Sequence, residues 1–185
     1  MENKKTDKTI LIIPAYEPET TLIDYCSHLI KAGFDRLLVI NDGSSKDYSP
    51  VFDTLEKMPA CTILRHAVNL GKGRALKDAF NYFLNMPDCG DYCGVITVDS
   101  DGQHTVPDVL KLQKELASGR EALILGVRDF TSPNVPFKSR YGNRLTRFLF
   151  RLLHGIRLHD TQTGLRAIPA GLVSTYLDIP GERFE

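Results

Sequence analysis

Five short runs of branched apolar residues, separated by stretches with helical periodicity, constrain this chain more than anything else in it. TILIIPAY (9–16), RLLVIND (36–42), CTILRH (61–66), GVITV (94–98) and EALILGV (121–127) are close to continuously apolar, the pattern of strands covered on both faces. Between them, apolar residues return every three or four positions. Leu22, Ile23, Cys26, Leu29 and Ile30 do so in 18–31, with Gly33 as the stop, and Leu76, Phe80, Phe83 and Leu84 do so in 71–86. Shorter helices are expected over 48–58 and 107–118. Strand and helix in alternation, with short links, predict an α/β fold: a Rossmann-like, mostly parallel sheet with helices on both faces. Ligands of such sheets bind at the carboxyl ends of the strands. The polar clusters fall there: Tyr16-Glu17, Asn41 to Ser44, and Asp99 to Asp101. Three loops therefore converge on one crevice.

A chain of 185 residues suffices for one domain with a core and is cramped for two. It divides into a polar tail (1–8), the alternating half (9–130) and an irregular half (131–185). The 23 basic and 23 acidic side chains cancel, so bulk charge gives no case for a nucleic-acid partner. The distribution is uneven, however: seven Lys or Arg against one acid, Asp160, between 136 and 166. RLTRFLFRLLHG (144–155) reads as a helix there. Arg140, Arg144, Arg147, Arg151 and His154 stack within about 80° of one another, opposite Tyr141, Leu145, Phe148, Leu149 and Leu152. Its apolar side either packs on the sheet or meets an anionic membrane surface, where each basic residue contributes on the order of 1 kcal/mol. Cys26, Cys61, Cys89 and Cys93 make no zinc pattern, and unpaired cysteines fit a reducing compartment. MENKKTDKT is no signal peptide, and no apolar run approaches the ~20 residues that cross a bilayer. A cytoplasmic protein is expected, and the ending GERFE, inside patterned sequence, suggests a fragment.

VITVDSDGQH (95–104) carries the most pointed chemistry. Asp99 and Asp101 place two like charges at one strand end, which is unfavourable without a cation nearby. Paired carboxylates offer hard oxygens suited to Mg2+ or Mn2+; the plainer alternative is an Asp-Ser-Gly turn. In GKGRALK, Gly71 opens a helix with Lys72 and Arg74 beside it, either an anion site or an ordinary helix start. Leu76 stands where a dinucleotide fingerprint needs its third glycine, and Gly73 where a P-loop needs Ser or Thr. NDGSSKD is either an Asp-Gly turn or a device that offers Asp42 to a base or ribose. His28, His66 and His154 read as structural or surface residues, while His104 adjoins the acidic loop and is expected to shape it.

IPAYEPE, VINDGSSKD, HAVNLGKGRALKDAF, TVDSDGQH, GVRDF, SRYGN and DTQTGLRAIP appear in the order and approximate spacing of the family 2 glycosyltransferases. Together they make the chain, from about 9 to 185, resemble the polyprenyl-phosphate sugar transferases of the dolichyl-phosphate mannose or glucose synthase type. The resemblance implies a GT-A fold and inverting transfer of a hexose from a UDP- or GDP-linked donor to a polyprenyl phosphate. By motif, Pro14, Ala15, Tyr16, Glu17 and Asp42 would hold the nucleoside, with Gly71 and Lys72 nearby. Asp99, Asp101 and Gln103 would hold the metal. Arg128, Ser139 and Arg140 would meet phosphates, and Asp160 and Arg166 would reach the reacting centre with Arg140. An acceptor of this kind implies an active site at the cytoplasmic membrane face. A membrane-embedded C-terminal segment, or a separate membrane protein, would assist it. The alternatives are the same donor with a sugar or protein acceptor, and a non-catalytic nucleotide-sugar-binding module.

Overall fold

The computed structural model describes residues 7–126 and 164–181. The apolar runs become β1 (Thr9–Ala15), β2 (Leu37–Asn41), β3 (Cys61–Arg65), β4 (Gly94–Thr97) and β5 (Ile124–Leu125). The periodic stretches become α1 (Thr21–Lys31), α2 (Ser49–Glu56), α3 (Lys72–Leu84) and α4 (Val106–Ala117). Two elements follow that the apolar pattern did not announce, β6 (Arg166–Pro169) and the short α5 (Ala170–Val173). Among the described residues the strands form one sheet in the order β3-β2-β1-β4-β6-β5. β3, β2, β1 and β4 run parallel, in register at Leu11↔Leu37, Leu37↔Cys61 and Thr9↔Gly94.

β1 lies inside the parallel group and is buried at every residue, which is why its sequence does not alternate. Leu11 and Ile13 face one core with Leu22, Leu29, Phe52, Leu55, Val109 and Leu116 from α1, α2 and α4. Ile10 and Ile12 face the other with Leu76, Phe80 and Phe83 of α3. Burying each such side chain contributes about 1.5–3 kcal/mol, so the site rests on a rigid platform. α1 stops at Gly33 as expected. Gly33, at φ +106°, donates its N–H to Ile30 O and Phe34 donates to Leu29 O, the double bond of a Schellman turn. At the start of α4, the Thr105 hydroxyl donates to Asp108 Oδ2 at 2.7 Å and accepts from the Asp108 N–H at 3.4 Å.

The far edge of the sheet departs from simple alternation. β5 is only two residues long and pairs antiparallel with β6, which itself runs antiparallel to β4. Ile96↔Ala167 and Thr97↔Arg166 are partners across that seam. Gly94 admits the close approach, since a Cβ there would overlap the Ile168 carbonyl oxygen. No helix among the described residues is long and apolar enough to cross a membrane. All four cysteines are free thiols. The basic stretch 144–155 and the boundary at 130 lie outside the described residues, as do Arg128, Ser139, Arg140 and Asp160.

Candidate functional site

The carboxyl ends of β1, β2 and β4 and the N-terminus of α3 enclose a cleft of about 420 Å³. Pro14, Ala15, Tyr16, Asp42, Gly71, Lys72, Asp99 and Asp101 line it, so eight of the residues singled out in the sequence meet around one cavity. Asn69 and Ser100 complete the lining. Tyr16 stands half-exposed at the rim. Glu17 beside it adopts φ +49°, a left-handed conformation that costs a non-glycine residue roughly 1–2 kcal/mol. Its N–H donates to Ser44 Oγ at 2.9 Å, and the Ser44 N–H donates to Asn41 Oδ1 at 2.9 Å. The loops after β1 and β2 are thereby tied together.

Asp42 is only 3% exposed, and its two oxygens collect three donors. His66 Nδ1 lies 2.7 Å from Oδ1, the Leu70 N–H donates to the same oxygen at 2.9 Å, and the Gly71 N–H donates to Oδ2 at 2.9 Å. A carboxylate only accepts, so His66 donates through Nδ1. His66 Nε2 lies 3.1 Å from Asp78 Oδ2 but out of hydrogen-bonding alignment. Asp78 is held in turn by Arg74 Nε at 2.9 Å. Asp42 thus clamps the segment that leads into α3, besides forming part of the cleft. Gly43 allows the loops to touch: at φ +71°, a Cβ there would overlap the backbone of Val68 and Asn69.

The acids after β4 are arranged unequally. Lys72 Nζ donates to Asp99 Oδ1 at 2.6 Å, and His104 Nε2 lies 3.0 Å from Asp99 Oδ2. Burial alone would raise the Asp99 pKa, but the hydrogen bonds and charges of His104 and Lys72 outweigh it and hold the carboxyl well below the usual range. Gly164 closes the carboxylate from behind, since a Cβ on it would overlap both oxygens. Its carbonyl accepts from Thr97 Oγ1 at 2.8 Å, which fixes Gly164 against the acidic loop. Asp101 is exposed, and its Oδ1 accepts the Gln103 N–H at 3.0 Å in a tight turn. From α1, the Tyr25 hydroxyl donates to the His104 carbonyl at 2.7 Å and anchors that turn; burial pushes its phenol pKa up.

Among the described residues no three His, Cys, Asp or Glu side chains are gathered as a metal cluster, so the fit to a divalent ion rests on donor chemistry alone. Asp99, Asp101 and Gln103 bring hard oxygens to one turn, two of the three side chains are exposed, and a protein-borne cation already sits on the third. Arg166 takes a different place. It opens β6 opposite Thr97 and lines a neighbouring cavity of about 330 Å³ with Gly73, Leu76 and Tyr176, outside the lining of the first cleft. The sequence does not single out Tyr25, Asp78 or Gly164, and His66, read there as a structural or surface residue, is a structural one that holds Asp42. The one available signal was that HAVNLG lies between a strand and a glycine-led helix.

The arrangement has relatives. A protein of Methanocaldococcus jannaschii is 28% identical over 184 residues, matching 97% of this chain and 72% of its own length. The UDP-N-acetylglucosamine–dolichyl-phosphate N-acetylglucosaminyltransferase of Methanococcus voltae is 27% identical over 183 residues, matching 87% of this chain and 69% of its own. A solved mycobacterial protein superposes with a TM-score of 0.62 at 22% identity, over 89% of this chain and 54% of that one. That likeness is one of fold, and the fold is GT-A. The sequence model of "Glycosyl transferase family 2" matches residues 10–176, from the second residue of β1 past the end of β6, and the chain belongs to that family.

Proposed function

We propose that this chain binds a nucleoside-diphosphate sugar, UDP- or GDP-linked, and passes its hexose with inversion to a polyprenyl phosphate. The observation that carries the reading is the cleft itself. The acids after β4, the Lys72 end of α3, Tyr16 and Asp42 all line it, with Lys72 bonded to Asp99 and Gly71 to Asp42. The helix N-terminus and Lys72 suit a diphosphate. Tyr16, exposed at the rim, offers a ring for a base to stack on. Magnesium or manganese, held by Asp99, Asp101 and Gln103, would neutralise charge on the departing nucleoside diphosphate.

A lipid phosphate is already anionic at neutral pH, so it requires cationic positioning more than a general base. Arg140 and Arg166 are suited to that by their forked donors. Asp160 would orient them or accept a proton, and Arg128 and Ser139 would meet phosphate oxygens. The acceptor class is supported by the name of the Methanococcus voltae relative. The basic segment 144–155 supports a peripheral seat at the cytoplasmic membrane face. Calorimetric titration with UDP and GDP, with Mn2+ and then with chelator, tests the donor site in wild type and Asp101→Ala. One nucleotide is expected to bind only with metal, and the substitution is expected to abolish that binding without altering the melting temperature, because Asp101 is exposed. Equal binding by the variant would refute the metal site. Radiolabelled sugar remaining in the aqueous phase, with polyprenyl phosphate supplied, would refute the acceptor.

A further inference from the structure

Lys72 and Asp99 both face the donor cleft, yet each is already occupied by the other. Nζ stands 2.6 Å from Oδ1, with side chains 33% and 25% exposed, while His104 holds Oδ2 at 3.0 Å. A divalent ion approaching Asp99 meets the Lys72 ammonium at the same oxygen, and like charges at such range repel strongly in a half-buried setting. Asp99 has little room to turn away. Gly164 backs onto both of its oxygens and is fixed by the Thr97 hydroxyl at 2.8 Å. Lys72 differs: it is the first residue of α3 and carries its charge on a flexible four-carbon stem, one-third exposed. The N-terminus of that same helix supplies a second place for it, beside a bound diphosphate.

We infer that Lys72 is an exchangeable counter-ion: it neutralises Asp99 while the cleft is empty and transfers to the donor diphosphate when that binds, releasing Asp99 to the divalent cation. This rests on the donor-site reading given above. Cation and nucleotide then reinforce one another, and by thermodynamic linkage each raises the affinity of the other by the same factor. Lys72 is a positioning residue in this scheme. Its loss affects the two ligands in opposite directions, which mere structural damage does not do.

The test measures Mn2+ binding by electron paramagnetic resonance, alone and with UDP or GDP, in wild type, Lys72→Met and Lys72→Gln. Without nucleotide, both variants are expected to bind Mn2+ about tenfold more tightly than wild type, within the usual span of such couplings. Their affinity for the nucleotide is expected to fall by a comparable factor, and Lys72→Arg to restore wild-type values in part. Wild type that binds Mn2+ with nucleotide, beside variants that bind Mn2+ alone no more tightly, would overturn the exchange and leave the donor site standing. Failure of wild type and variants to bind Mn2+ with either nucleotide would overturn both. Should neither variant fold, wild type still decides: Mn2+ affinity indifferent to nucleotide would refute the exchange.

Discussion

Replacing Asp42 by asparagine preserves shape and volume, yet it is expected to be among the more damaging single-atom changes available at this cleft. Three donors converge on the two carboxylate oxygens: His66 Nδ1 at 2.7 Å and the Leu70 and Gly71 N–H groups at 2.9 Å each. An amide has one acceptor oxygen. With that oxygen in the Oδ1 position, the amide nitrogen faces the Gly71 N–H. With the amide flipped, His66 can change tautomer and accept, but the Leu70 N–H is left facing a donor. Either way one backbone N–H loses its partner on Asp42, that of half-buried Gly71 or of Leu70, which is 39% exposed, so the cost lies at the low end of about 1–3 kcal/mol. The surviving bonds also lose the assistance of a full charge, falling from about 1.5–3 kcal/mol towards about 1 kcal/mol each. The expected loss is about 3 kcal/mol, a large part of the stability of an ordinary domain. Urea unfolding reads it as a lower midpoint at unchanged slope. Nucleotide affinity is expected to fall as well, because the loop entering α3 is loosened. A variant as stable as wild type, or within about 1 kcal/mol of it, would refute the clamp and leave Asp42 as a ligand-facing acid alone.

Gly43→Ala should lower stability by more than Gly102→Ala, although both glycines sit at φ +71°. At Gly43 the added methyl overlaps the backbone of Val68 and Asn69, whereas at Gly102 the nearest atom, Tyr25 Cγ, is 4.0 Å away. Thermal melts should show Gly43→Ala lowered by at least about 4–8 °C, the equivalent of about 2 kcal/mol at this chain length, and Gly102→Ala by about half of that. For Asp108, the hydrogen bond from Lys111, then that from Thr105, holds the carboxyl below its ordinary value. A depressed folded pKa contributes stability that is present above the ordinary carboxylate range and is lost as pH falls through the folded value. A carbon-detected NMR titration of Asp108 should therefore show a low midpoint that rises in Lys111→Met, and an unmoved midpoint would refute the assigned cause.

The parallel half of the fold was legible because β1, β2 and β4 are buried on both faces and the edge strand β3 partly so, and burial writes itself into sequence as continuous apolar runs. β1 through β4 and α1 through α4 appear close to where the periodicity puts them. β6 was not legible. Arg166–Pro169 is four residues long, lies inside a motif whose polar residues drew a chemical reading, and owes its place to Gly94, a contact distant in sequence. The same limit applied to the site. Residues that face the cleft from strand ends could be found by counting, because topology places strand ends together. Those that hold them from behind could not. His66, Tyr25 and Gly164 reach their partners across 24, 79 and 65 positions, and no local pattern encodes such a pairing.

This distinction alters how the acids themselves are understood. In sequence, Asp42, Asp99 and Asp101 look equivalent, each standing at or just past the end of an apolar strand. In the fold they form a gradient. Asp42 is sealed and given three protein donors, Asp99 is partly open and given two, and Asp101 is exposed with only the backbone N–H of its own turn recorded on Oδ1. Protein donors compete with ligands for the same lone pairs. Ligand occupancy should therefore be easiest at Asp101, conditional on displacing Lys72 at Asp99, and most remote at Asp42, where three protein donors leave one Oδ2 lone pair beside the Gly71 N–H. Substitutions along that series should divide accordingly. Those at Asp101 should change binding and spare stability, those at Asp42 should change stability first, and Asp99 should couple the two through the lysine that it shares with the donor.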